Sequence, residues 1–234
     1  MQTINTTDIS AIKSIIQPSY KRVCRGQSDN DWALDCSFFR EQTDKYITCA
    51  ELFGKTWDES DDMLSKTTFP PTLDNEAINY FPHLSLLVQL QQNHNKKTPL
   101  LDVSYDIYMP LFCACGEGKE NMDKDGKIFV IERTDYCGGC NDLDNSEMVI
   151  LSNQNIPTYN DRMRVQAAAM IKTCIIMNGD LCFCDISKAG NKLVTEYVIP
   201  KELKSNILEN LAQELNVRNL GLYFYGKDKY NFSF

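Results

Sequence analysis

Apolar residues at helical spacing mark both ends of the chain. Near the N-terminus the stripe consists of Ile9, Ile12, Ile15 and Ile16. It predicts a helix over residues 8–17, which Pro18 ends. Near the C-terminus the stripe consists of Leu203, Ile207, Leu208, Leu211 and Leu215. It predicts a long amphipathic helix that begins at Pro200 and Lys201.

Shorter apolar or alternating runs between these helices predict strands. They cover residues 22–25, 98–104, 128–132, 148–151, 169–177 and 194–199, with a last strand or turn at 221–225. Two further helices are predicted, one over residues 74–93 with a break at Pro82 and one over residues 105–115 with a kink at Pro110. This order predicts an α+β fold, a twisted and mostly antiparallel sheet with helices packed on it, in a single domain over residues 1–234.

The length and composition are those of an ordinary globular domain. The chain has 234 residues, of which 43% are hydrophobic and 24% charged, and it is long enough to bury a core. A formal net charge of −8 disfavours duplex nucleic acid and anionic membranes as partners, because both repel a negative protein. A local basic pocket for a phosphate group is compatible with that charge. The expected partner is therefore a small-molecule nucleotide or another protein.

No targeting or membrane segment is apparent in the sequence. Residues 1–10 are polar and lack the basic and apolar regions of a signal peptide. The most apolar stretch, residues 165–177, is interrupted by Lys172 and is too short to span a membrane. We therefore expect a soluble, cytoplasmic protein whose ten cysteines are mostly reduced thiols.

Two sequence patterns suggest a metal, and each has a simpler interpretation. The pairs Cys113–Cys115, Cys137–Cys140 and Cys182–Cys184 contain enough thiolates for a zinc site, but buried free thiols are the alternative. Residues 121–132 have the oxygen ligands and the glycine of a calcium-binding EF-hand loop, although a strand follows where an EF-hand needs a helix. We expect no metal, and a small zinc-stabilised domain remains an alternative.

Four separated segments together carry a recognisable pattern. They are Cys24-Arg-Gly-Gln27 followed by Trp32, Leu34 and Arg40; residues 92–102 with Ser104; residues 162–170; and residues 197–201 followed by Lys204, Ile207 and Leu211. In this order they resemble the FRG family, named for its aromatic-Arg-Gly start, over residues 22–225. Departures from the family pattern are Cys24 for the aromatic residue, Asn93 for a histidine, Pro99 for an arginine and Ala168 for a glycine.

The resemblance implies, through a further analogy with ADP-ribosyltransferases, a cleft for NAD or a similar nucleotide. Those enzymes place an arginine at the end of the first strand, a serine on the next strand and a glutamate later. Arg25, Ser104 and Gln166 occur in that order and are the expected catalytic residues. The expected cofactor-binding residues are Arg25, Gly26, Gln27, Trp32 and Asp102. The analogy implies a toxin or defence effector that uses NAD.

Elementary chemistry supports these roles only in part. An arginine can bind a pyrophosphate through two parallel hydrogen bonds. Gln166 can bind a ribose hydroxyl, but an amide cannot neutralise positive charge at the anomeric carbon. Glu196 or Glu132 takes that role only if the fold brings it into the cleft.

Structural roles for the same residues remain open. Arg25 paired with Asp102 or Asp35 would lock the first strand, Gln166 would serve as a core amide, and Trp32 would pack. A non-catalytic protein-interaction module of the same fold is therefore the alternative function.

Overall fold

The computed structural model describes residues 1–19, 21–40, 46–48, 98–132, 147–151, 165–177, 180–186 and 194–226. Three sequence predictions lie outside these residues. They are the helix over residues 74–93, the Cys137–Cys140 pair and the first half of the segment that resembles the family around residues 92–102.

Nine strands form one sheet within the described part of the chain. They are β1 (Gln2–Thr3), β2 (Arg22–Gln27), β3 (Tyr46–Thr48), β4 (Leu101–Ser104), β5 (Gly126–Glu132), β6 (Glu147–Leu151), β7 (Ala168–Met177), β8 (Asp180–Cys184) and β9 (Val194–Ile199). Their order is β1-β9-β5-β2-β4-β7-β8-β3, and β6 pairs with β7 beside this path. Every pairing is antiparallel except that of β1 with β9.

Four helices accompany the sheet in the described residues: α1 (Ile9–Ile16), α2 (Tyr108–Ala114), α3 (Lys201–Glu214) and α4 (Leu220–Tyr225). Asp8 begins α1 by accepting hydrogen bonds from the backbone N–H groups of Ser10 and Ala11. Pro110 lies in the first turn of α2, where a missing backbone N–H breaks no helical hydrogen bond, so the predicted kink is absent. None of the helices in the described residues is long and apolar enough to cross a membrane.

The two faces of the sheet bury different sets of side chains. One face, here called the helix face, packs against all four helices through residues such as Cys24, Ile128 and Val130. The other, the loop face, packs against residues 34–39 through Val23, Phe129 and Ile131. Successive residues of β2 and β5 alternate between the faces, as strand geometry requires. Even-numbered residues of β2 and β5 therefore face the helices, and odd-numbered residues face the loop side.

The predicted architecture is confirmed: the fold is α+β, with a mostly antiparallel sheet and four helices in the described residues. The strands near residues 22–25, 128–132, 148–151, 169–177 and 194–199 and both terminal helices are also present. Besides the kink at Pro110, a second local prediction is wrong. Residues 221–225 lie in helix α4 rather than in a strand or turn, because Asn219 accepts a hydrogen bond from the N–H of Leu222 and starts a helix there.

Candidate functional site

Arg25 lies in the middle of the sheet and points to the loop face. Cys24 belongs to the helix-face core, so the side chain of the next residue projects the opposite way. The half-buried Arg25 guanidinium donates a 2.6 Å hydrogen bond from Nη1 to the backbone carbonyl of Asp102 on β4. Its Nε atom is buried and has no hydrogen-bond partner. Arg25 therefore ties β2 to β4 and keeps one donor unused.

A second guanidinium lies near the first. Arg40 is solvent-exposed at the end of the segment that covers the loop face. Burial of part of its side chain lowers the pKa of Arg40, the neighbouring Arg25 cation lowers that pKa further, and Asp35 opposes both. An anion bound near both guanidinium groups would offset this repulsion. Arg40 belongs to the first segment that resembles the FRG family, but its place in the sequence did not indicate that it lies near Arg25 in the fold.

Trp32 is exposed on a loop that several hydrogen bonds hold in place. Buried Gln27 donates from Nε2 to the carbonyl of Ala33 at 3.0 Å. The N–H of Trp32 bonds to the carbonyl of Asp29, and the N–H of Asn30 bonds to the carbonyl of Asp125. The loop is thus fixed to β2 and to the segment before β5, while 48% of the Trp32 side chain remains accessible.

Trp32 lines a cleft of about 610 Å³ on the loop face. Phe129 of β5 and Ile186, Val194 and Glu196 contribute the opposite side. Phe129 pairs with Arg25 on the neighbouring strand, so the arginine lies one strand spacing from this lining. The remaining lining residues include Asp31, Ala33, Leu34, Asp35, Lys127 and Thr195. The cleft therefore joins an aromatic and aliphatic surface to several charged groups.

An ion pair lies within this cleft. The ammonium of Lys127 is 3.4 Å from the Glu196 carboxylate and 5.2 Å from the centre of the Phe129 ring. The Lys127 side chain is only 9% exposed, whereas that of Glu196 is 35% exposed. Glu196 thus keeps more of its surface available to a ligand than Lys127 does. The fold brings Glu196 into the cleft, whereas Glu132 pairs with Arg22 and is 57% exposed.

Ser104 and Gln166 lie together, away from Arg25. Ser104 pairs with Cys24 and so belongs to the helix face. Its hydroxyl donates a 2.7 Å hydrogen bond to the backbone carbonyl of Gln166. The Gln166 side chain in turn donates to the carbonyl of Phe224 in α4. The three residues expected to act together are consequently divided between two faces of the sheet.

Gly26 allows helix α2 to pack closely on β2. A Cβ atom at this position would lie 1.8 Å from the carbonyl oxygen of Pro110. Helix α2 therefore approaches the sheet at a distance that only glycine allows. Of the five expected cofactor-binding residues, only Trp32 lines the cleft directly, while Gln27 and Arg25 support or border it.

The loop that resembles an EF-hand is held by lysines. Buried Lys204 of α3 donates from Nζ to the carbonyl oxygens of Ser28 and Asn121 at 2.8 and 2.7 Å. Lys124 pairs with the Asp29 carboxylate, and Asp125 accepts from the N–H of Lys201 at the start of α3. In the described residues no group of three histidine, cysteine or acidic side chains is arranged to hold a metal ion.

Three buried cysteines have pKa values raised by burial. Burial raises the pKa of Cys24 and of Cys115 to about 12 in each case. Burial, with help from the Asp185 carboxylate, raises the pKa of Cys36 as well. These thiols stay protonated at neutral pH and behave as small apolar core residues.

Comparison with known proteins identifies part of the chain. No curated protein and no solved structure matches it significantly. A family model does match, over residues 21–123. That range contains Arg25, the Trp32 loop and Arg40, together with Asp102 and Ser104, whereas Gln166 lies beyond it. The family model is that of the FRG domain, and this protein therefore carries an FRG domain.

Proposed function

We propose that the FRG domain binds a nucleotide related to NAD in the cleft beside Trp32. The ring of the ligand stacks on Trp32 and contacts Phe129. Its phosphates lie toward Arg25 and Arg40. An aromatic platform and a cationic border, side by side on one face of a sheet, match the two parts of a nucleotide.

The observation that carries the proposal is an exposed Trp32 on a fixed loop. An indole ring exposed to water does not contribute hydrophobic free energy to folding. A flexible loop would therefore favour conformations that bury the ring. Here Gln27 uses its buried amide to hold the loop at Ala33. A preformed aromatic surface at the edge of a cleft lowers the entropic cost of binding a flat ring.

Arg25 and Arg40 supply positive charge near the cleft in addition to Lys127, which is already paired with Glu196. Arg25 keeps a buried Nε donor without a partner, and Arg40 is exposed beside it. Arg40 interacts electrostatically with Asp35, which lines the cleft. Phosphate oxygens bound between the two guanidinium groups would relieve their mutual repulsion and accept charge-assisted hydrogen bonds.

Tryptophan fluorescence provides a direct test of this proposal. The chain has two tryptophans, so Trp57→Phe leaves Trp32 as the one reporter. We expect saturable quenching of Trp32 emission by NAD⁺, ADP-ribose or ADP. No change with any of these ligands or AMP at millimolar concentration would overturn the proposal and leave the protein-interaction module as the better hypothesis.

Arginine variants separate specific binding from general charge. Arg40→Gln should weaken ADP-ribose binding about tenfold or more, since a charged hydrogen bond is lost. Arg22→Gln is the matched control, because Arg22 lies on the same strand as Arg25 but pairs with Glu132 on the helix face. Equal weakening by the two variants in calorimetry would contradict the assigned phosphate site.

ADP-ribosyl transfer is a second candidate function, favoured by the position of Glu196 in the cleft. In such a step the bond between ribose C1′ and the nicotinamide nitrogen breaks, and its electron pair leaves with nicotinamide. A water oxygen or an acceptor side chain then bonds to C1′, and Glu196 takes the proton that the acceptor loses. Nicotinamide release by the wild type but not by Glu196→Gln supports this step. Binding without release leaves the domain a binding module.

A further inference from the structure

The charges that line the cleft are unequal. Among the side chains that line the cleft, three are carboxylates, those of Asp31, Asp35 and Glu196, and one is an ammonium, that of Lys127; Met1, at the N-terminus, lines it as well. That lysine is nearly buried and already paired with Glu196. The side chains that line the cleft thus carry more negative than positive charge, while Arg40, which interacts with Asp35, lies outside this lining.

We infer that the ring subsite selects a flat aromatic ring with a positive charge, such as the pyridinium of an oxidised nicotinamide nucleotide. This inference rests on the proposed nucleotide cleft and adds the charge of the ring that it accepts. The exposed indole of Trp32 attracts a cationic ring through its π electrons in addition to stacking. The carboxylates attract the same charge, because a cleft with protein walls screens it less than open water does.

The anionic and cationic parts of the ligand then meet matching surfaces. The phosphates lie next to Arg25 and Arg40, and the pyridinium lies between Trp32 and the Glu196 carboxylate. Reduction of the nicotinamide removes the ring charge and its aromaticity while leaving the phosphates unchanged. A neutral dihydropyridine loses both attractions and gains none.

Matched ligands make this inference measurable. Calorimetric titration of the intact chain with NAD⁺ and NADH compares two ligands that differ only at the ring. Nicotinamide mononucleotide, oxidised and reduced, repeats the comparison without the adenine half. We expect the oxidised member of each pair to bind about tenfold more tightly or better.

Two variants locate the preference. Glu196→Gln should reduce the oxidised-to-reduced affinity ratio to about threefold or less by removing the carboxylate. Asp31→Asn, at an exposed position, should reduce it in the same direction and serves if the first variant does not fold. Glu132→Gln removes a carboxylate from the helix face and should leave the ratio unchanged.

The possible results separate the preference for a cationic ring from nucleotide binding itself. Equal affinity for oxidised and reduced ligands would overturn the charge preference and leave nucleotide binding intact. Binding of ADP-ribose without any gain from the nicotinamide ring would do the same. If NAD⁺, ADP-ribose and ADP all fail to bind, the proposed function falls, and the inference falls with it.

Discussion

Arg25 and Ser104 lie on neighbouring strands but on opposite faces of the sheet. The arginine, whose side chain is on the loop face, donates to the backbone carbonyl of Asp102 on β4. The serine hydroxyl bonds to the backbone of Gln166 on the helix face. Ligand binding and the Ser104 contact should therefore be separable by mutation.

Replacing Ser104 by alanine should destabilise the protein without changing ligand affinity. The variant loses the 2.7 Å hydrogen bond to Gln166 and the bond that its oxygen accepts from the N–H of Asp106. We expect a loss of about 1–2 kcal/mol in the free energy of unfolding, measured by urea denaturation. An affinity for ADP-ribose reduced as much as in Arg40→Gln would instead place Ser104 in the binding site.

Replacing Gly26 by alanine should be among the most damaging single changes. The added methyl would lie 1.8 Å from the Pro110 carbonyl oxygen and 2.9 Å from the backbone nitrogen of Ala114. Helix α2 would have to move away from the sheet, at a cost of about 3 kcal/mol or more.

Gly118→Ala provides the comparison for this prediction. Gly118 has a φ of +74° but no close neighbour, so its replacement should cost only the left-handed strain of about 1–2 kcal/mol. Thermal denaturation should show a larger loss of stability for Gly26→Ala than for Gly118→Ala. An equal loss would mean that contact with helix α2 is not what makes Gly26 necessary.

Lys204 should act as a structural clamp whose removal loosens the Trp32 loop. Methionine at this position keeps much of the volume but leaves the carbonyls of Ser28 and Asn121 without their donor. We expect a loss of about 2–3 kcal/mol in unfolding free energy. Hydrogen exchange should also accelerate at Asn30 and Trp32, whose N–H groups hold the loop.

The buried Lys204 should also make the stability of the protein depend on pH in the alkaline range. Burial lowers the pKa of Lys204 in the folded protein below its usual value. Between the folded and unfolded pKa values the unfolded chain binds more protons, so stability from this group rises with pH in that alkaline window. The measurement is the unfolding free energy of wild type and of Lys204→Met as a function of alkaline pH. The same pH dependence in both proteins would contradict this assignment.

The ion pair of Asp29 and Lys124 should stabilise the fold at intermediate pH and lose this contribution at both low and high pH. The hydrogen bond from Lys124 lowers the pKa of Asp29, and the same bond raises the pKa of Lys124. The Asp29 contribution is present above its unfolded pKa and is lost as pH falls through the folded pKa. The Lys124 contribution is present below its unfolded pKa and is lost as pH rises through the folded pKa.

Asp29→Asn tests the acid side of this pair. The variant should be less stable than wild type at pH 7, and the difference should narrow as the solution becomes acidic. Urea denaturation at a series of pH values measures it. A constant difference from pH 2 to pH 7 would mean that the packing of Asp29, not its charge, is what matters.

Several elements followed from local pattern alone. The isoleucine stripe predicted α1 to within one residue at each end, and the alternation at residues 194–199 predicted β9. Strands β3 and β8 carry no comparable signal, because β3 is only three residues long and gains its place by pairing with β8. Helix α4 was expected as a strand or turn because its aromatic residues favour β-structure when context is ignored.

The candidate site was predictable only in part, for a geometric reason. Of the residues that the sequence motif singled out, Trp32 lines the cleft, and the residue types of the motif suggested a nucleotide. Lys127 and Phe129 of β5 lie far along the chain from Trp32, and Glu196 of β9 lies farther still. They join Trp32 in the cleft through the pairing of β2, β5 and β9.

Periodicity and residue type were sufficient for the fold class and for the chemistry available along β2. The choice of face required the assembled sheet. Side chains alternate along a strand, and the register between strands decides which residues from distant segments share a face. That register placed Arg25 with Phe129 and Glu196 and placed Ser104 with Gln166. A sequence motif gives the order of residues along the chain, whereas the packing of the folded protein determines which of them are in contact.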